Sequence, residues 1–195
     1  MKTLDGILYR FRGYVLGALA IALCILPARQ IEIACAPDAP TTTAFFLCLA
    51  GILLRIRTRQ FIGEHTRGSI HAADILVKAG PYACTRHPLY ISNTLIALSA
   101  ILFHLGIAPV AIPFALVVIL FEFLLAHAEN RFLEGKFGDE WREWKPGPLA
   151  AFRNRHEAQT EPKRTFFRAF CADWATWTWL LLYYLLLLAK KVFMS

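Results

Sequence analysis

Two apolar runs separated by one glycine, Leu89–Leu105 and Ile107–His127, constrain this chain more than any other feature. A helix needs about 20 mostly apolar residues to cross the ~30 Å hydrocarbon core of a bilayer. A turn at Gly106–Pro109 would send the second run back beside the first. Three further runs share this character: Gly13–Ala28, extending back through Phe11, the shorter Thr43–Ile56, and Trp174–Ala189. Trp174, Trp177 and Trp179 at the start of the last run read as an interfacial aromatic belt. Only 18% of the 195 residues are charged, against about 25% in a soluble domain. The expectation is an all-α fold, a polytopic membrane helical bundle of about five transmembrane helices. The first run lacks a convincing small-residue cleavage site and is followed by further runs, so it reads as a span and not as a leader.

The cations are unevenly placed. Six lie from Arg55 to Arg86 and nine from Arg131 to Arg168, whereas the connection after the first run has Arg29 alone. Cationic segments favour the cytoplasmic side. The amino end, with Lys2, Arg10 and Arg12, and both long connections are therefore expected in the cytoplasm. Lys190 and Lys191 would then fall on the far side, against the bias, unless the last helix stops short. The net charge of +7 follows from this sidedness and from attraction to anionic lipid, and gives no support for a nucleic-acid partner. The five cysteines (Cys24, Cys35, Cys48, Cys84, Cys171) have neither metal-ligand nor disulfide-framework spacing. Only Cys84 lies in a polar motif.

That motif is KAGPYACTRHPLYISN, Lys78–Asn93, at the mouth of the third run. Proline has no amide hydrogen and suits the first position of a helix, so Pro88 makes His87 the expected cap. The amides beyond Pro88, at the positive end of the helix dipole, form a natural anion site. Arg86 and His87 add donors, and Tyr90 adds a hydroxyl. Gly80 and Pro81 bend the chain coming in. Two readings stand: a bound carboxylate or phosphate, or simply a cation-flanked span with an interfacial tyrosine.

The second motif, HAENRFLEGKFGDEWREW, runs from His127 to Trp144. Leu133, Phe137, Trp141 and Trp144 share one helical face. Gly138–Asp139 reads as a break and a new cap, and Pro146 as a stop. The plain reading is an interfacial helix. Two carboxylates stand out. Glu122 lies within the fourth apolar run, where an ionisable residue is costly. Glu129 follows two turns later on nearly the same face. A carboxylate opposite an anion site would suit a zwitterion, although Glu122 could instead pair with His127 or Arg131.

At these residues the chain resembles the integral-membrane methyltransferase superfamily that includes isoprenylcysteine carboxyl methyltransferases and phospholipid N-methyltransferases. Gly80, Pro81 and Tyr82 match its Gly-Pro-Tyr, and Arg86, His87, Pro88 and Tyr90 its Arg-His-Pro-x-Tyr. Glu129, Leu133, Phe137 and Gly138 match its second motif, while Trp141 and Trp144 replace the usual tyrosines. Asn130 stands where many members have a second Glu, and Asn93 near where a glycine often follows the Tyr. The match covers roughly Asp74–Trp144. It implies a cytoplasmic-side cofactor pocket for S-adenosylmethionine. Tyr82, His87, Pro88, Tyr90, Glu129, Trp141 and Trp144 would bind the cofactor, Glu129 through its ammonium. Arg86 and Glu122 would be catalytic, and no metal is implied. Three regions follow: 1–73 with two spans, 74–148 as the methyltransferase core, and 149–195 as a connection and hydrophobic tail.

The expected reaction is methyl transfer to a lipid or lipid-like acceptor, held among membrane lipids. A carboxylate acceptor would need a cation such as Arg86 to anchor it. An amine would need a base such as Glu122 or Glu129. Two other functions compete: an NADPH-dependent sterol or steroid reductase, whose carboxyl-terminal half resembles this superfamily, and a non-enzymatic membrane protein that kept the fold.

Overall fold

The computed structural model describes residues 3–27, 38–62, 75–148 and 162–194. Ala28, Cys35 and Asp74, and the cations Lys2, Arg29, Arg67, Arg153 and Arg155, lie outside them. The described residues form seven α-helices and no strand. These are α1 (Thr3–Ile25), α2 (Ala39–Phe61), α3 (Pro88–Leu105), α4 (Ala111–Phe137), α5 (Asp139–Glu143), α6 (Phe166–Cys171) and α7 (Trp174–Met194). A 3₁₀ turn covers Gly80–Ala83.

Local chemistry sets the helix ends. Asp38 caps α2 by accepting a hydrogen bond from the Thr41 amide at 3.0 Å. Pro88 opens α3 with His87 at the cap. Gly106 (φ 66°) and Gly138 (φ 54°) end α3 and α4 in the left-handed region, which glycine enters without steric cost. The break at Gly138 is as expected, but the cap of α5 is Gly138 itself, whose carbonyl accepts from the Arg142 amide at 3.3 Å. Asp139 is therefore already in the first turn, where a negative charge complements the helix dipole.

α2, α3 and α4 are long and apolar enough to cross a membrane, and α1 and α7 carry shorter apolar stretches, Phe11–Ile25 and Trp174–Leu187. α1 begins at Thr3, ahead of the expected extension back through Phe11, and ends at Ile25. α2 and α3 pack closely because Gly51 has no side chain. A Cβ there would stand 2.8 Å from Ile96 Cγ1, and the Ser92 hydroxyl donates to the Gly51 carbonyl at 2.9 Å. Small residues serve helix contacts well in lipid, where apolar burial gives little drive. Phe45, Phe46, Leu116, Leu120 and Phe123 face outward and exposed, an apolar surface that a bilayer would cover.

At one end of the bundle Leu23, Ile101, Leu105 and Val118 form a buried cluster. There a ring nitrogen of the buried His104, Nε2, meets the Leu26 carbonyl at 3.1 Å. Lys190, near the end of α7, donates to the Cys24 carbonyl at 2.7 Å and to that of Leu26. The last carbonyls of a helix lack partners within it, so Lys190 caps α1. The tail helix thus reaches this end, and the cation that ran against the charge bias has a structural partner. The starts of α3 and α7 and the ends of α2 and α4 gather at the opposite end.

Candidate functional site

The site is built on the start of α3. His87 occupies the cap position, yet its side chain makes no capping hydrogen bond, so the ring is directed elsewhere. Nε2 lies 2.8 Å from Asn130 Oδ1, and Nδ1 lies 3.4 Å from Glu129 Oε2. The second approach is close but not hydrogen-bonded. The Tyr90 ring lies 5.6 Å from the imidazole, tilted by 45°. Adjacent residues on α4 thus flank one ring, and Glu129 keeps about a third of its side chain exposed. The two motifs, 42 positions apart from His87 to Glu129, meet at one end of the bundle.

Arg86 fastens α5 to this start. Its guanidinium donates to the Trp144 carbonyl and, at 3.4 Å, to that of Trp141. Its central carbon lies 4.6 Å from the Trp141 ring centre and 5.8 Å from that of Trp144. The two indoles meet edge to face at 5.2 Å. Trp141 is buried. Two further ties hold the segment: Lys78 pairs with Glu140 at 3.0 Å, and the Gly147 amide donates to the Ala83 carbonyl at 3.0 Å. Stacking over indole and bonding to carbonyls together use the planar fork that distinguishes Arg from Lys.

Tyr82 lies in the 3₁₀ turn. Its phenol is pushed well above its ordinary value, first by desolvation and then by the Glu129 carboxylate, with Arg59 opposing. It remains a neutral donor beside the acidic group. Gly80 makes the turn possible: its φ is +60°, and a Cβ would lie 2.4 Å from the Phe61 ring.

Glu122 stands apart from this group, two turns and ~10 Å along α4 from Glu129. It is 3% exposed. Its partner is Asn93 of α3, whose amide donates to Oε2 at 3.4 Å, and its Oε1 has no hydrogen-bond partner. His127 instead stacks on Phe123, with ring centres 6.4 Å apart. Arg55 of α2 reaches the other side of Asn93 by donating to Oδ1. The same guanidinium pairs with Asp173 at 2.9 Å and donates to Thr176 at 3.2 Å. Arg59, one turn on, also pairs with Asp173 at 2.9 Å. Burial alone would raise the Asp173 carboxyl, but Arg55 and Arg59 together hold it below the usual carboxylate range.

Sequence reasoning singled out none of Arg55, Arg59 and Asp173 as site residues. A signal was present. Two arginines four apart end an apolar run, and a lone acid immediately precedes another. Cys84 is exposed at the site's edge.

Residues 40–140 match the family PEMT, phospholipid methyltransferase. The match spans just over half of the chain. The chain belongs to the phospholipid methyltransferase family. Comparison with curated proteins and with solved structures gives no significant match. Membership, with three helices able to cross a bilayer, makes it an integral membrane methyltransferase of a lipid-associated family. The phospholipid methyltransferase match begins at the start of α2 and so takes in Arg55 and Arg59, beyond the stretch that the two motifs alone had suggested. Trp141, Trp144 and Asp173 lie outside it.

Proposed function

We propose that the protein is an S-adenosylmethionine-dependent methyltransferase acting on the amine of a phospholipid-like acceptor at the cytoplasmic face of its membrane. The observation that carries this reading is the convergence of His87, Glu129 and Asn130 within family-matched residues. The residues suit the cofactor's amino-acid end. Glu129 is a partly exposed carboxylate for its ammonium. The first-turn amides of α3, whose cap side chain leaves them free of a side-chain bond, suit its carboxylate. Tyr90 beside His87 and the partly buried Trp144 offer aromatic surface, which attracts a cationic centre, while Trp141 is buried against Arg86.

S-adenosylmethionine, when bound, supplies an electrophilic methyl on a sulfonium that departs as a neutral thioether. Because that leaving group needs no protonation, the chain's own contribution is chiefly positioning. His87 is oriented by Asn130 and Glu129, and Arg86 ties the two indoles to the start of α3. An amine acceptor has to present its lone pair, so a carboxylate must take up its proton. Glu122, with one buried oxygen unpartnered, is assigned that role.

A carboxylate acceptor fits less well. Arg86, the cation that would anchor it, already bonds two carbonyls and stacks on two rings. The bunching of the α3 start with the ends of α2 and α4 agrees with a cytoplasmic location for both cation-rich connections.

The test is titration of purified protein with labelled S-adenosylmethionine and with NADPH, followed by mass spectrometry of membrane lipids after labelled-methyl feeding. Saturable binding of the sulfonium compound and a label on an amino-lipid headgroup support the reading. Tight NADPH binding without response to the sulfonium compound would end it. A label on a carboxylate or thiol would overturn the acceptor assignment alone.

A further inference from the structure

The chain Asp173–Arg55–Asn93–Glu122 crosses four elements of the bundle, and its first member lies beyond the family-matched residues. Asp173 sits at the junction of α6 and α7, 1% exposed. One of its oxygens receives the Nε atoms of both Arg55 and Arg59, each at 2.9 Å. Arg55 then forks, with Nη2 toward Asp173 at 3.4 Å and Nη1 toward Asn93. Asn93 passes the contact on to Glu122.

A buried ion pair adds little net stability when desolvation is counted, and breaking it leaves an expensive lone charge. An Arg–Asp pair alone would satisfy charge. It would not require the third, neutral member that turns its donor amide toward an acid. The arrangement does fix one Glu122 oxygen and leaves the other without a partner. Arg12 of α1 and Arg55 are the cations whose fields reach this carboxylate. Arg59 leads the other way, since its field reaches Tyr82, which also feels Glu129.

We propose that Arg55 and Asp173, acting through Asn93, are positioning residues for Glu122, so that the tail segment completes a site which the family-matched core does not complete alone. The inference rests on the role assigned to Glu122 above.

Arg55→Lys is the decisive variant, made in the full chain in lipid nanodiscs. Lysine keeps the charge opposite Asp173, so the fold is preserved. A single ammonium cannot hold the fork between Asp173 and Asn93. A positioning role predicts that kcat falls at least about tenfold while the thermal midpoint shifts by less than about 4 °C and the affinity for S-adenosylmethionine stays within about twofold. In a Glu122→Gln background the same change should cost less than about twofold, because the two residues act as one unit. Wild-type kcat in Arg55→Lys, or full additivity with Glu122→Gln, overturns the proposal.

A second readout does not require activity. A hydrophobic carbodiimide consumes protonated buried carboxyls, and removing a donor from a carboxylate disfavours the anion. Labelling of Glu122 at about pH 8.5, where the anion dominates in the wild type, followed by peptide mass spectrometry, should therefore rise at least about threefold in Asn93→Ala and in Arg55→Lys. Labelling equal to wild type overturns the inference even if methyl transfer is confirmed. Increased labelling in a protein that binds no S-adenosylmethionine would uphold the relay and sink the functional reading instead.

Discussion

His87 Nδ1 lies 3.4 Å from Glu129 Oε2, while the opposite ring nitrogen is 2.8 Å from Asn130 Oδ1. One imidazole thus joins the start of one membrane helix to the end of the next, and the cofactor assignment depends on that junction.

His87→Ala and Glu129→Gln should each weaken S-adenosylmethionine binding at least about tenfold while leaving the protein in the membrane. Losing a hydrogen bond to a charged group costs about 1.5–3 kcal/mol, roughly ten- to a hundredfold in affinity. Equilibrium binding of labelled cofactor to purified variants checks this. Binding equal to wild type in both would remove the site assignment.

Asn130 does here what a carboxylate could also do, namely face His87 Nε2. Asn130→Asp should keep cofactor affinity within about threefold, whereas Asn130→Ala frees the ring and should weaken it about tenfold. The same titration distinguishes these outcomes. Equal effects would show that Asn130 does not orient the histidine.

Gly80→Ala should destabilise the site end. A left-handed residue with a Cβ costs about 1–2 kcal/mol, and the added methyl would also meet the Phe61 ring at 2.4 Å. The expected total is above about 2 kcal/mol, seen as a lower thermal midpoint in detergent. An unchanged midpoint would mean that the Gly80 turn is not held against Phe61.

The acid stability should report on Asp173. Its folded-state pKa is depressed below 3.8, so the unfolded chain binds the proton more readily. The stabilisation is complete above that ordinary value and is lost as pH falls from about 4 through the depressed one. Melting scans from pH 6 to pH 2.5 should show the wild type losing more stability over that window than Asp173→Asn, which lacks the titrating group and is already weaker at neutral pH. Parallel curves would contradict the double ion pair.

Lys190→Met should cost about 1.5–3 kcal/mol of stability for a charged donor lost from the α1 carbonyls, seen as a lower thermal midpoint, without changing cofactor affinity. Its ammonium meets Cys24 and Leu26 at the end remote from His87. A change in S-adenosylmethionine affinity would show that the two ends are coupled.

Much of the architecture could be read directly. The apolar runs located the helices because a bilayer-spanning segment must be apolar and internally hydrogen-bonded. Pro88, Gly106 and Gly138 marked ends because their backbone limits act locally. The two motifs disclosed His87, Glu129 and the indoles, and their joint position at one end follows from a hairpin that reverses direction. Asp139 was misplaced by one position because Gly138 both ends α4 and caps α5.

What the sequence by itself determined, then, was where the chain turns helical, where it stops and which polar residues sit at the helix mouths. Each of those depends on residues within a few positions of one another. Only the tertiary structure decided that Arg86 closes on the carbonyls of Trp141 and Trp144, that Asn130 faces His87, and that Asp173 binds an arginine 118 positions earlier. The physical reason is that a buried charge has to be satisfied by whatever group packing brings within about 3 Å, and no local rule names that group in advance.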